Sequence, residues 1–180
     1  MPKDTVKLLQ ECAKGVKMGE RAISLTISQT RPGELKQILE DAGQAHAILG
    51  DDVRKLLYSG GEHAKEPSTV IQMMSDAKIK AMMSISGSGA TAASLITDGC
   101  NMGSKSITHY LNKYPKASLP AQVLAHRIIR TEDELRDKLR KFLEAAARSP
   151  PMISHATGYG NFYKRGSIYC RKASYKSCSL

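Results

Sequence analysis

Residues 35–61, LKQILEDAGQAHAILGDDVRKLLYSGG, decide the fold of this chain. Leu35, Leu39, Ala42, His46, Leu49, Val53 and Leu56 recur in steps of three and four, which places them along one face of an α-helix and leaves the charged residues on the other. The pattern stops at Gly60 and Gly61, where a left-handed helix cap costs least. Upstream, Arg31-Pro32-Gly33 reads as a tight turn, with Pro32 tolerated because the first turn of a helix has no use for its missing N–H.

The same spacing continues on both sides. Leu9, Cys12, Val16, Gly19 and Ile23 mark a helix from about Asp4 to Thr30. Beyond a polar loop ending at Pro67, Ser68 or Thr69 can cap a Met-rich helix running to about Ser84. Gly87 and Gly89 then impose a break. A further helix follows from about Ser88 to Lys113, on a stripe containing Ala92, Ile96, Gly99, Gly103, Ile107 and Tyr110. Pro115 closes it, and Ser118 with Pro120 opens the last helix, whose stripe is Ala121, Leu124, Ile128, Thr131, Leu135, Leu139 and Phe142. At 1.5 Å per residue the long helices are each about 40 Å, a matched set. The expectation is an all-α, antiparallel four-helix bundle over residues 1–148, with a short extra helix before the third bundle helix. Composition agrees: in 180 residues there are no Trp, two Phe and eight Met, a core stock that suits helix-on-helix packing.

Three segments, Gly15-Val16-Lys17-Met18-Gly19, Asp98-Gly99-Cys100-Asn101-Met102-Gly103 and Leu111-Asn112-Lys113-Tyr114-Pro115, resemble a family of small, largely uncharacterised bacterial helical bundles of the ferritin-like type. The resemblance spans residues 4–146 and implies a fold with little chemistry. A ferritin-like bundle holds two irons with a Glu-x-x-His pair on each of two helices and a Glu on each of the others. No Glu in this chain has a His three residues on, so no di-iron centre is expected.

Each candidate site residue has a plain packing role to weigh against a functional one. Gly15, Gly19, Gly99 and Gly103 lie four apart in pairs on the stripes and are expected to let helix backbones approach closely. Gly87-Ser88-Gly89-Ala90-Thr91-Ala92 loosely matches a dinucleotide-binding fingerprint but lacks the preceding strand and the later acidic residue. His46 is the weak candidate for a metal or proton-transfer site with Glu11, Glu20 or Glu40. One His with carboxylates beside their stripes makes a poor ligand set, so a hydrogen-bonded core or interface histidine is expected, with no metal or cofactor. His109 and His126 would complete a site only if they face inward. Cys12, Cys100, Cys170 and Cys178 form no Cys-x-x-Cys and read as free thiols of a reducing compartment.

Residues 149–180 differ in composition. They hold Lys164, Arg165, Arg171, Lys172 and Lys176, half of the formal +10, together with four Tyr and no Asp or Glu. Cations interleaved with aromatics suit a nucleic acid or other polyanion. A segment without apolar periodicity is otherwise expected to be a disordered tail, or a shifted reading frame joined to a natural helix end. The N-terminus lacks a signal-peptide core and no stretch is apolar enough to span a bilayer, so a cytoplasmic protein without membrane contact is expected. The leading expectation is a non-catalytic binding or structural bundle that self-associates. A nucleic-acid-associated bundle working through its basic tail is the second reading, and a metal-dependent oxidoreductase the third.

Overall fold

The computed structural model describes residues 1–147, with side chains through residue 143. Five helices make up this part of the chain: α1 (Lys3–Ile27), α2 (Glu34–Ser59), α3 (Thr69–Ile85), α4 (Gly89–Lys113) and α5 (Leu119–Ala147). No strand occurs among the described residues. The described part of the chain is therefore all-α, and its helix ends fall where turn-forming residues place them. The α2 end is built on Gly61, whose φ of 76° is left-handed, and the Glu62 N–H closes the cap by donating to the Leu57 carbonyl at 3.0 Å. Gly87 sits in the gap between α3 and α4, and the Ser88 hydroxyl caps α4 by accepting from the Thr91 N–H.

α1, α2, α4 and α5 pack in a ring, with α1 touching α2, α4 and α5, and α5 touching α2 and α4. α3 rests on α1 and α4. The apolar interior falls into two clusters along the helices. Leu8, Leu9, Cys12, Val16, Leu49, Val53, Leu57, Ile107, Leu124 and Ile128 fill one. Ile23, Leu35, Leu39, Ile79, Met83, Ile96, Cys100, Leu135 and Leu139 fill the other. Full burial of a side chain such as Leu39 contributes roughly 1.5–3 kcal/mol. Leu57 rather than Leu56 completes the α2 face, since the last turn advances by four residues from Val53.

Two buried polar side chains pin the connections. Gln10 donates from Nε2 to the His63 carbonyl at 2.7 Å and accepts from the Lys65 N–H at 2.8 Å, which fixes the loop leading into α3. Thr5 accepts from the Ser118 N–H at 2.8 Å and fixes the start of α5. Residues 148–180, including the expected disordered tail and its polyanion-binding residues, lie outside the described residues.

Candidate functional site

Between the two apolar clusters all four ring helices contribute to one polar layer. α2 supplies His46, 1 % exposed, and α5 supplies Glu132, 6 % exposed. His46 Nε2 lies 3.2 Å from Glu132 Oε1, and Nδ1 lies 2.9 Å from the Ala42 carbonyl. A carbonyl only accepts, so Nδ1 carries a proton. The Nε2–Oε1 contact then needs a second proton, held either as imidazolium and carboxylate or as neutral ring and acid. Burial works against the charged ring. Glu132 beside it, the Ala42 carbonyl and the Glu20 carboxylate outweigh that and hold the His46 pKa above the ordinary histidine range.

The glycines of α1 and α4 explain how the pair fits. A Cβ on Gly19 would stand 2.7 Å from His46 Cδ2 and 2.8 Å from Nε2. One on Gly103 would stand 3.0 Å from Glu132 Oε1. These two positions make room for polar side chains, whereas the sequence expectation is a close approach of helix backbones. Gly15 is in ordinary contact with the Ile107 methyl at 3.5 Å. Gly99 corrects the expectation outright: it is exposed with nothing within 4 Å of its Cβ position, because the buried line of α4 runs through Ala92, Ile96, Cys100 and Ile107.

The carboxylates named as partners for His46 are elsewhere. Glu11 pairs with Lys14 at 3.0 Å, and Glu40 is exposed. Glu20 pairs with Lys17 at 3.3 Å and reaches His46 only through its field. His109 and His126 are exposed. The residue that sequence reasoning misses is Glu132. It takes the buried step after Ile128, while Thr131, assigned to the stripe, is only partly covered and bonds the Arg127 carbonyl. The available signal is the regular 4-3-4 advance Ile128, Glu132, Leu135, Leu139.

Both side chains of this pair are buried. Among the described residues no three His, Cys, Asp or Glu side chains gather as a ligand set. The buried free thiols are shifted away from reactivity. Burial and Glu11 push Cys12 up to about 12, and burial together with Glu132 raises Cys100.

A cleft of about 730 Å³ lies between the α1–α2 turn and the α3–α4 break, walled by Arg31, Leu35, Ser88 and Phe142 among others. The fingerprint-like segment 87–92 contributes to this wall, but it follows helix α3 where a dinucleotide site needs a strand. Glu34 at the same wall is engaged by Lys141.

The remaining feature is the outward face of α3. Asp76, Ile79 and Met83 are its buried positions, and Arg21 grips Asp76 through two nitrogens, Nε at 2.8 Å and Nη2 at 2.5 Å. That grip holds the Asp76 carboxyl below the usual range. Opposite this anchor stand Val70 (65 % exposed), Met74 (69 %) and Ile85 (87 %), with Ile71 and Met73 beside them. A helix apolar on both faces is normally covered on both. No helix among the described residues is long and apolar enough to cross a membrane. Neither a family model, nor a curated protein, nor a solved structure matches this chain.

Proposed function

We propose that this chain is a non-catalytic binding module, an antiparallel four-helix bundle of the ferritin-like type without a di-iron centre, which works by presenting the outer face of α3. The short connections 28–33 and 114–118 support antiparallel neighbours, since a connection of that length returns the chain beside the helix it left. The observation that carries the function is the exposure of Val70, Met74 and Ile85 on a helix whose other face is already anchored. Apolar surface gathered in this way marks an interaction site.

The test is a photo-cross-linking residue placed at Met74 in cells that make the protein, with the exposed Lys138 on α5 as control. A defined adduct at Met74 and none at Lys138 supports the reading. No adduct at either position contradicts it.

The second reading, a nucleic-acid-associated bundle, is favoured by the five cations and absent acids of residues 149–180. Glutamine at Lys164, Arg165, Arg171, Lys172 and Lys176 should flatten the salt dependence of binding by a slope of about 0.7–0.9 for each phosphate that is no longer neutralised. An unchanged slope removes the tail from any such role.

A further inference from the structure

We infer that the outer face of α3 docks an acidic amphipathic helix of a partner protein, with an apolar seam against Val70, Met74, Ala77, Ala81 and Ile85 and carboxylates against Lys78 and Lys80. The inference rests on the binding-module reading and names the partner's chemistry.

The seam comes from the register of the helix. Val70, Met74, Ala77, Ala81 and Ile85 advance by four, three, four and four residues, so they form a single row on the side opposite Asp76, Ile79 and Met83. All five are exposed. The row runs for about 22 Å, the span of roughly four helical turns. Such spacing is what one helix offers another, with side chains of the partner seating between successive positions of the row. Ala77 and Ala81 let the partner come close at the centre of the row. Met74 and the neighbouring Met73 supply unbranched side chains that adapt to its shape.

Charge decides which helix fits. Lys78 and Lys80 are exposed on opposite flanks of the row. The only carboxylate of α3, Asp76, is turned inward to Arg21, so none is left on the outer surface of the helix. Lys78 and Lys80 are therefore the only charged side chains on the outer surface of α3. A second copy of α3 would set Lys78 and Lys80 against their own counterparts with no acid on the seam's rim to answer them, which penalises self-pairing through this face. A lipid surface is a poorer match, because helices that lie in a membrane interface anchor through Trp, Phe or Leu. α3 contains none of these. A partner helix with Glu or Asp flanking an apolar stripe satisfies both the row and its rim.

The experiment uses the full chain and two synthetic helical peptides with the same Leu/Ile seam, one flanked by Glu and one by Lys. The protein variants are Val70→Glu/Met74→Glu and Lys78→Glu/Lys80→Glu, all at exposed positions so that folding is retained. The Glu-flanked peptide is expected to bind at least about tenfold tighter than the Lys-flanked one. Lys78→Glu/Lys80→Glu should invert that preference, and Val70→Glu/Met74→Glu should abolish binding of both peptides. Equal affinities, or a preference that survives the lysine reversal, overturns the inference. So does binding to phosphatidylglycerol vesicles, or a dimer in sedimentation velocity, that Val70→Glu/Met74→Glu removes. Any of these leaves α3 as the working face with a different occupant; only the absence of a Met74 adduct removes the binding-module reading itself.

Discussion

The polar layer at His46–Glu132 and the outer face of α3 are opposite departures from the rule that polar groups face water and apolar groups face the core. Inside, a charged or hydrogen-bonding pair sits where Leu would fit. Outside, Val, Ile and Met sit where Lys or Glu would serve. The inner departure is complete in itself: each nitrogen of His46 has a partner, and Gly19 and Gly103 leave the volume the pair needs. The outer one is not, because nothing among the described residues covers it. A satisfied polar group specifies how helices assemble, while an uncovered apolar row is left for another molecule. The proposed binding face is thus separate from the layer that specifies how the helices assemble.

The inner region should be the more fragile of the two. Replacing Glu132 with Leu leaves His46 buried and unpaired and should cost about 3 kcal/mol, whereas the double change His46→Leu/Glu132→Leu should recover most of it. Chemical denaturation of the two singles and the double makes the cycle. If the double is as unstable as the single, the pair does more than satisfy itself.

A smaller effect separates the glycines. Gly19→Ala drives a methyl into the His46 ring and should destabilise by about 1–2 kcal/mol. Gly99→Ala meets open space and should stabilise by up to about 1 kcal/mol, the helix-propensity gain. Thermal melting of both variants checks the sign. Equal shifts would mean that the two positions share one environment.

The pH dependence follows from the raised His46 pKa. A group that holds its proton more tightly when folded adds stability that is complete below the ordinary histidine value, about 6.5, and is lost as pH rises through the folded value. Stability should therefore fall on the alkaline side of neutrality, and this portion of the slope should vanish in His46→Leu/Glu132→Leu. The buried thiols add a loss in the same direction only above about pH 8.5, where unfolded cysteine ionises. Urea midpoints between pH 6 and 8 isolate the histidine. The smallest effect belongs to the outer region, where Val70→Glu/Met74→Glu should change stability by less than about 0.5 kcal/mol.

The helices are legible in the sequence because periodicity and helix breakers agree. The row from Leu35 to Val53 reads directly as a buried face, and Gly60-Gly61, Gly87-Gly89 and Pro115 end helices where the chain needs special backbone or loses a donor. The polar layer is half legible. His46 stands out as a polar residue on an apolar row, but its partner lies on another helix, and one slip of register exchanges Glu132 for Thr131. Gly99 misleads for the same reason: it stands one residue before Cys100, about 100° around the helix from the buried line through Ala92, Ile96, Cys100 and Ile107. α3 is legible as a helix, yet its exposed face is not. A segment with apolar residues on both of its faces says little about which side the bundle covers, and the Arg21–Asp76 grip orients it.

The division of labour between the two regions is tested most directly by comparing partner capture in two backgrounds. A photo-cross-linker at Met74 is introduced into His46→Leu/Glu132→Leu, and one at the neighbouring Ala77 into Val70→Glu/Met74→Glu. Cross-linkers at the same two positions in the otherwise unaltered protein serve as controls. The Met74 adduct is expected to persist at its control yield when the buried pair is replaced, and the Ala77 adduct to disappear when the α3 row is made acidic. Loss of the adduct with the buried pair, together with its survival on the acidic row, would contradict this division and place the function at His46 and Glu132.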